Sequence, residues 1–477
     1  MNTGIVATGS VIFPEKLLAD HGHNHFKQPY RGPASRYRAK LKVAFVRRKE
    51  EYGMLWPGQI YDGEAALKNY TELIRNTGRD LEMDVQIKTE PIHSLEEGQV
   101  WLDNMKQEGT DGLLMVALDR QQHTWPTIGK AIDTGIPTVV FSPLGTSFTT
   151  NTGPLSSKMS EFICSTDDFS QAAYGMKMIQ AGSRLRETRY LVIMKRERED
   201  VEILPFNTKL RYLPADEFIE TYHKIPVNNE VKEIASYYMN NATQIHGPAP
   251  EDVYNGIRSY LAAIQMLEKE KADGITMDCL GVLGPTQDSL PCLAWSRLND
   301  EGIPAACEAD LGASITHAIV QYLFDKPGFQ QDPVAETVKE CLIGSHCSCP
   351  TRLNGFGTDP EPFSLSHHHG VRDATAKPVW KIGQRITLAD LIISDEWILR
   401  DANQIKGTPK MYISAGEVID NKSVPPSGGC VIAPMVKLDG VSDMLDYPGF
   451  HQIFFYGDHK RDLQHFCKLY GIKPEVI

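Results

Sequence analysis

The pattern of apolar and polar residues divides the chain into two regions of alternating strands and helices, followed by a region rich in strands. In the first region, apolar runs of five to seven residues predict buried strands, and amphipathic segments between them predict helices. Strands that alternate with helices are typical of a parallel sheet covered by helices on both faces. The predicted strands are residues 41–47, 83–87, 112–118 and 137–143, and the predicted helices are residues 62–77, 94–107 and 124–134.

The second region follows a Ser-, Thr- and Gly-rich stretch at residues 146–157 and has the same alternating pattern. We predict FICSTDD, residues 162–168, as its first strand. Near its end, an apolar run leads to Glu308, an amphipathic helix covers residues 311–324, and a loop, DKPGFQQD, closes on Asp332. Two acidic residues therefore flank one helix.

The third region consists of short β-rich segments separated by Gly and Pro turns, which predict a small antiparallel sheet or barrel. The sequence therefore predicts an α/β fold with two doubly wound parallel-sheet domains, followed by a β-rich, barrel-like C-terminal domain. The predicted domains are residues 1–150, 151–333 and 334–477.

Composition and charge narrow the class of protein. The chain has 477 residues, 41% of them hydrophobic, and its net charge of −12 argues against nucleic acid as the main partner. The N-terminus lacks the pattern of a secretory signal, and no apolar stretch is long enough to predict a membrane-spanning helix. The nine cysteines, an odd number found only from Cys164 onward, favour a reducing cytoplasm over a disulfide framework.

Several common site motifs are absent, among them G-x-G-x-x-G, the Walker sequence, G-x-S-x-G, H-E-x-x-H and paired C-x-x-C. Three histidines, His21, His23 and His25, fall in a predicted loop, and we interpret them as incidental. HCSC at residues 346–349 has the residue types of a zinc site, but its spacing is too tight for an ordinary zinc knuckle. The three adjacent imidazoles at residues 367–369 have no packing rationale, which favours a site role for one of them.

Aromatic and amide side chains follow the predicted strands of the first region. In open α/β sheets, ligands bind at the carboxyl ends of the strands. Aromatic rings beside amides suit a polar, flat-faced ligand such as a sugar ring. The residues of this kind that we single out are Trp56, Gln122, His123 and Trp125.

The two acids that flank the helix at residues 311–324 are the strongest candidates for chemistry. If Glu308 and Asp332 converge, their carboxylates would bind a divalent cation or exchange protons with a substrate. The alternative is that Glu308 is an ordinary surface acid and that Asp310 caps the helix. His451 precedes the apolar strand QIFFYG, and two carboxylates with one imidazole suit Mn²⁺ or a similar ion.

Two stretches of the chain resemble the L-fucose isomerase and L-arabinose isomerase superfamily, and the fucose isomerase branch in particular. The first is PCLAWSRLNDEGIPAACEADLGASITHAIVQYLFDKPGFQQD, residues 291–332, in which "CEAD" precedes a helix of small residues and an Asp follows. The second is YPGFHQIFFYGDH, residues 447–459, in which a His precedes an apolar strand and Tyr-Gly. The layout of two α/β domains and a β-rich domain is similar too.

The resemblance implies an enzyme that interconverts aldoses and ketoses through an enediol on Mn²⁺ or another divalent cation. Carried over residue by residue, it makes Glu308, Asp332 and His451 the metal ligands, and Glu308 and Asp332 also the acid–base pair. It further implies a homo-oligomer, a trimer or hexamer, whose neighbouring N-terminal domains close the sugar pocket. Besides Trp56, Gln122, His123 and Trp125, the candidate substrate contacts are His346, His368 and Arg352.

The substrate and the class of protein stay open at the level of sequence. The expected substrate is a free aldose or a 6-substituted hexose, deoxy or sulfo, and Arg31, Arg36, Arg38 or Arg352 could bind a sulfonate. One alternative is a sugar-binding or regulatory protein on a double α/β fold. Another is a metal-dependent aldolase or epimerase, since these enzymes also use enediolates on divalent ions.

Overall fold

The structure is a computed structural model that describes residues 32–50, 54–56, 59–120, 123–368, 372–394, 398–399, 408–424, 429–441 and 443–477. The histidines at positions 21, 23, 25 and 369 lie outside these ranges, and so do Arg31 and Gln122. Among the described residues, no helix combines the length and the apolar character needed to span a membrane.

The first region alternates strands and helices as its sequence pattern predicts. Its elements are α1 (Pro33–Arg36), β1 (Lys40–Val46), β2 (Met54–Leu55), β3 (Gln59–Ile60), α2 (Gly63–Asp80), β4 (Asp84–Ile87), α3 (Leu95–Gln107), β5 (Gly112–Ala117), α4 (Thr124–Ile132), β6 (Thr138–Ser142), α5 (Thr149–Thr152), β7 (Glu161–Ser165) and α6 (Ser170–Glu187).

Five of these strands form one parallel sheet in the order β4-β1-β5-β6-β7. Side-chain caps explain where two of its helices begin: the Asp62 carboxylate accepts from backbone N–H groups of α2, and the Ser94 hydroxyl accepts from Glu97 N in α3. The prediction that FICSTDD opens the second sheet is wrong, because β7 pairs with β6 along its whole length. An apolar run predicts a strand but does not specify which neighbour that strand pairs with.

The second region contains β8 (Arg189–Met194), β9 (Glu199–Ile203), β10 (Thr208–Pro214), α7 (Ala215–Lys224), α8 (Asn229–Asn241), β11 (Ile245–His246), α9 (Pro250–Glu270), β12 (Gly274–Met277), α10 (Cys279–Val282), α11 (Cys292–Asp300), β13 (Ala305–Cys307) and α12 (Leu311–Phe324).

Its sheet is parallel across β13-β12-β8-β10 and becomes antiparallel at β9, a strand that the sequence pattern did not predict. Helices cover both faces, because alternate residues of a strand point in opposite directions. Tyr190 and Val192 of β8 face the core that includes α6 and α12, whereas Leu191 and Ile193 face the core built by α7, α8 and α9.

The third region contains β14 (Phe329–Glu336), β15 (Cys341–Ser345), β16 (Phe363–Ser366), β17 (Thr375–Pro378), β18 (Arg385–Ile392), β19 (Ile398–Leu399), β20 (Lys410–Asn421), β21 (Pro434–Leu438), a 3₁₀ turn (Met444–Asp446), β22 (Gln452–Tyr456), α13 (Lys460–Leu469) and β23 (Lys473–Val476).

Six of these strands close into an antiparallel β-barrel in the order β14-β15-β21-β20-β18-β22, with β22 pairing back onto β14. Phe329, Trp380 and Phe454 pack in its core. The chain therefore has an α/β fold that combines a parallel sheet with a closed six-stranded barrel, and the barrel-like part of the prediction is confirmed.

Asp332 lies inside barrel strand β14, so the prediction that it ends a loop is wrong. Asp332 pairs with Ser345 of β15, and the preceding residue, Gln331, pairs with Gln452 of β22. The sequence conceals this strand because Gln330 and Gln331 are polar yet fully buried, and because Pro333 is unusual within a sheet. Strand β14 brings Asp332 next to the residue that precedes β22, which is His451.

Candidate metal centre

Glu308 follows β13 directly and stands at the carboxyl end of a parallel strand. Glu308 and Ala309 both have left-handed backbone conformations, with φ of +62° and +53°. This region is costly for residues other than glycine, and such strain concentrates at functional sites. Hydrogen bonds hold the turn in place: Ala309 N donates to Met277 O at 3.0 Å, and Cys307 N donates to the Gln330 side chain at 2.8 Å.

His451, which immediately precedes β22, is the residue around which the predicted ligands meet. Its Nε2 atom lies 3.1 Å from Asp332 Oδ1 and 3.4 Å from Glu308 Oε2. The two acids therefore converge, although one comes from the end of a parallel strand and the other from the barrel. The histidine itself is almost fully buried, whereas about a third of each acidic side chain is exposed to solvent.

Asp310 caps helix α12, as the sequence suggests, and it also contacts the imidazole of His451. Its Oδ1 accepts a hydrogen bond from Ala313 N at 2.9 Å at the beginning of α12. Its Oδ2 lies 2.9 Å from His451 Nδ1. A carboxylate that accepts the Nδ1 proton of a histidine leaves Nε2 free to bind a metal, and it also orients the ring. One side chain thus joins the helix to the histidine.

His346 is a further donor at this site, and the sequence analysis gave it only as a substrate contact. Its Nε2 lies 3.9 Å from Glu308 Oε1, and its ring centroid lies 5.8 Å from that of His451. Donor atoms of Glu308, His346 and His451 all lie within 4.8 Å of one another. Asp332 is outside this compact triad and adjoins it through His451. The HCSC pattern contains His346 and has the residue types of metal ligands, but its spacing did not predict this site.

The donor set fits a small divalent cation. Asp332 Oδ1, His346 Nε2 and His451 Nε2 are buried and make no geometrically acceptable hydrogen bond within the described part of the chain. His451 Nε2 and Asp332 Oδ1 can satisfy each other only when the imidazole is protonated, whereas a bound ion would satisfy all three buried atoms at once. Ligand atoms about 2.1 Å from an octahedral cation lie about 3 Å from their neighbours, close to the observed 3.1 and 3.4 Å.

The acids around His451 change its protonation in the ion-free protein. Burial alone would lower the pKa of His451, but the neighbouring carboxylates, Asp310 foremost, raise it to about 11. An imidazolium at this position offsets the charge of Glu308 and Asp332, and a cation would have to displace its Nε2 proton. Behind Asp310, burial raises the pKa of Asp390 to about 7, and the Asp310 carboxylate adds to that shift.

Two of the candidate substrate contacts in the first region have structural roles. Trp125 is 5% exposed, packs in the core beneath α4 and donates from Nε1 to Thr146 O at 3.0 Å, so its proposed sugar contact is not supported by its position. The His123 ring lies 3.2 Å from Arg47 O and 3.4 Å from Thr127 Oγ1. Trp56, by contrast, is 60% exposed and lies beside the ring of Phe148.

The two candidates from the barrel region, Arg352 and His368, each have contacts of their own. Arg352 donates to Thr358 O, and its backbone N donates to Asp300 at 2.7 Å, which makes it part of the loop that it stabilises. His368 is buried, and its Nδ1 lies 3.4 Å from Cys292 Sγ. The hydrogen bonds of His123, Trp125 and Arg352 go to groups other than Glu308, Asp332 and His451.

Phe450 is a neighbour of the site that the sequence analysis did not single out. Its ring is 60% exposed, and its centroid lies 4.4 Å from that of His451. An exposed aromatic ring beside partly exposed carboxylates resembles the lining of a polar ligand site. The sequence YPGFHQ could have indicated Phe450, because it places a large apolar residue directly before the candidate ligand His451.

Comparisons with known proteins give no family for this chain: no family model matches it, and neither does any curated protein. Among solved structures, it is similar to an ABC transporter solute-binding protein from Burkholderia multivorans, with 12% identity, 50% of this chain and 80% of that chain covered, and a TM-score of 0.18. It is also similar to an ABC transporter periplasmic solute-binding protein from Actinobacillus succinogenes with bound D-allose, with 12% identity, 60% and 92% covered, and a TM-score of 0.19. Likenesses at this level carry no argument about function.

Proposed function

We propose that this chain is a divalent-cation-dependent aldose–ketose isomerase that acts on a free aldose or a 6-substituted hexose through an enediol. The observation that supports this most is the convergence of Glu308 and Asp332, which flank helix α12, with His451 from the far end of the chain, at a point where buried donor atoms face one another. The resemblance of residues 291–332 and 447–459 to fucose isomerases supports the same reaction.

In this proposal Mn²⁺ or a similar ion is bound by Glu308, Asp332 and His451. His346 is available as a fourth ligand. When bound, the ion would polarise the two sugar oxygens between which hydrogen is exchanged. Asp310 keeps the His451 ring oriented, with its Nε2 toward the site.

Glu308 and Asp332 are suited to proton transfer because each is about a third exposed and can reach a substrate. Moving hydrogen between C1 and C2 requires a carboxylate that takes a proton from one carbon and a group that returns it to the other. The strained turn at Glu308 restricts the position of that carboxylate, as a reacting group requires.

The proposal also includes the organisation of the whole protein. The two α/β domains and the barrel domain would form a trimer or hexamer, in which the N-terminal domain of one subunit closes the pocket of another. Trp56, whose side chain is exposed, would be available for such a contact. A cytoplasmic location is a further part of the proposal, and it accords with nine unpaired cysteines.

The reaction is tested by NMR of pentoses, hexoses and their deoxy and sulfo analogues incubated in D₂O with Mn²⁺. We expect a ketose with deuterium at C1 or C2, and no product after EDTA treatment. Glu308→Gln and Asp332→Asn should each lower kcat/KM by about 10²- to 10⁴-fold, as expected for loss of a general acid or base.

Exposed acids away from the site provide the matched controls, and Glu340→Gln and Asp216→Asn should keep full activity. Full activity in both Glu308→Gln and Asp332→Asn would contradict the acid–base assignment. Cleavage products would indicate an aldolase, an aldose inverted at C2 would indicate an epimerase, and sugar binding without turnover would indicate a sugar-binding protein.

A further inference from the structure

A second group of metal-ligating side chains lies in a buried cluster behind the candidate metal centre. The cluster contains the thiols of Cys292, Cys307 and Cys347 and the imidazole of His368. All nine cysteines of the chain are free thiols, so no disulfide accounts for this concentration of sulfur. The isomerase proposal assigns none of these four side chains a chemical role.

Three members of the cluster come from different elements and meet at one point. Cys292 is the first residue of α11, Cys347 follows β15, and His368 follows β16. Their donor atoms all lie within 4.8 Å of one another, and Cys292 Sγ lies 3.4 Å from His368 Nδ1. The thiol of Cys307 adjoins the cluster through Cys347, since the donor atoms of Cys307, His346 and Cys347 also lie within 4.8 Å of one another.

These separations suit a thiophilic cation. Zinc binds thiolate sulfur at about 2.3 Å and imidazole nitrogen at about 2.0 Å, so a tetrahedral site places sulfur and nitrogen roughly 3.5 Å apart. The observed 3.4 Å between Cys292 and His368 is close to that value. All three side chains are at most 4% exposed, as in closed structural zinc sites.

Simple packing explains the cluster less well. A free cysteine can behave as a small hydrophobic residue, and several cysteines of this chain do so. Cys467, for example, packs against Met411 within α13 and the barrel. In the cluster, however, sulfur atoms face one another and an imidazole nitrogen, which are the groups that soft metal ions prefer.

We propose that Cys292, Cys347 and His368 form a structural zinc site, and that the thiol of Cys307, which lies beside Cys347 but outside this group of three, moves in as the fourth ligand. On binding, each coordinating thiol loses its proton to solvent, and neither the metal nor the sulfur changes oxidation state. His346 lies between the two centres, because its Nε2 is 3.9 Å from Glu308 Oε1 and its Nδ1 is 3.5 Å from Cys347 Sγ. The zinc would hold Cys307 and Cys347, the direct neighbours of Glu308 and His346.

The test uses Co²⁺ as a spectroscopic probe on the full-length, reduced protein after removal of bound metal. Thiolate ligands give an intense near-ultraviolet charge-transfer band, and a site of carboxylates and imidazoles does not. We expect this band to saturate at one Co²⁺ per chain, and Zn²⁺ to abolish it. Metal analysis of protein purified without chelator should show about one Zn²⁺ per chain.

The variants Cys292→Ser and Cys347→Ser should lose the band, whereas Cys467→Ser, a buried cysteine outside the cluster, should keep it. Glu308→Gln should also keep it, which separates this site from the proposed isomerase centre. Circular dichroism identifies a variant that fails to fold. In that case the Co²⁺ absorption spectrum of the wild-type protein alone tests whether the zinc site exists.

Two results would overturn the proposal. One is a reduced wild-type protein that shows no charge-transfer band with stoichiometric Co²⁺. The other is fewer than nine titratable thiols in the unfolded, metal-free protein prepared without reductant, which would indicate that the cluster forms a disulfide.

Discussion

The candidate metal centre and the buried thiol cluster are neighbours built from adjacent residues. They differ in solvent exposure and in the type of ligand atom that they offer to a metal. Cys307 is 1% exposed, whereas the side chain of Glu308, the next residue, is 33% exposed. His346 directs Nε2 to Glu308, and Cys347, the next residue, has its thiol against that of Cys292. Two short segments therefore supply both groups: β13 ends at Cys307 and the chain turns at Glu308 with a left-handed backbone, and His346 and Cys347 follow β15.

The difference lies in solvent access and in the kind of donor. Partly exposed carboxylates and imidazoles suit a hard ion that must also admit a substrate, while enclosed thiols suit an ion with a structural role. A reacting centre next to a rigid anchor is a reasonable way to hold catalytic groups in place. The following experiments test whether the two regions are as different as their donors suggest.

The pH dependence of metal binding should give the largest effect. The pKa of His451 is raised to about 11, so a hard ion must displace one proton below that pH. We expect Mn²⁺ affinity to rise about tenfold per pH unit, hence roughly 100-fold between pH 6 and pH 8. Isothermal titration in two buffers of different ionisation enthalpy measures both the affinity and the released proton.

The same shift predicts how the ion-free protein responds to pH. A histidine whose pKa is raised on folding stabilises the folded state fully below its unfolded pKa of about 6.5, and this contribution declines as pH rises toward 11. Urea unfolding of the ion-free protein should therefore show stability falling between these values. A His451→Gln variant that retains the same pH dependence would contradict the assignment to this residue.

Substitution of Asp310 should give the next largest effect, because this residue positions His451 without touching the substrate. Asp310→Asn keeps an oxygen for the helix cap and removes the charge that orients the imidazole, so Mn²⁺ affinity should fall by about 10- to 100-fold. Asp310→Ala should lose the same affinity and also about 1 kcal/mol of stability, since it removes the cap.

The two Asp310 variants are compared by metal titration and by urea unfolding. A purely structural role would lower stability in Asp310→Ala and leave the Mn²⁺ affinity of Asp310→Asn unchanged. Neither variant should alter the Co²⁺ charge-transfer band, because the thiol cluster does not include Asp310.

The smallest effect should come from Phe450, on the open side of the centre. Phe450→Ala removes an exposed apolar surface beside His451, and we expect KM for the sugar to rise about fivefold with kcat nearly unchanged. Leu445→Ala, at another exposed apolar residue that precedes the site, is the matched control. An equal KM in both variants would exclude a sugar contact at Phe450.

Local features of the chain were well predicted from sequence. Helix α12 covers the residues that its apolar periodicity indicates, from Leu311 to Phe324, and Asp310 caps it as a short acid before an apolar run should. His451 precedes a buried strand as predicted. These features depend on backbone propensities and on neighbours within a few residues, which the sequence displays directly.

Features that depend on distant partners were predicted poorly. The apolar run of β7 gave no indication that it would pair with β6, and the polar, buried residues of β14 concealed a strand. Trp125 has the residue type of a sugar contact but packs in a core, because residue type does not specify burial. His346 was assigned to the substrate, since nothing local indicates that its Nε2 faces Glu308.

The sequence by itself determined most of the strands and helices, though not β9 or β14, the cap of α12 and the residue types available for chemistry. Only the tertiary structure decided which of them meet: barrel closure brings β14 and β22 together, and with them Asp332 and His451, while the end of β13 adds Glu308. The physical reason is that periodicity and capping act over a few residues. The metal centre joins groups more than a hundred residues apart, and their approach depends on the packing of the whole barrel against the second sheet.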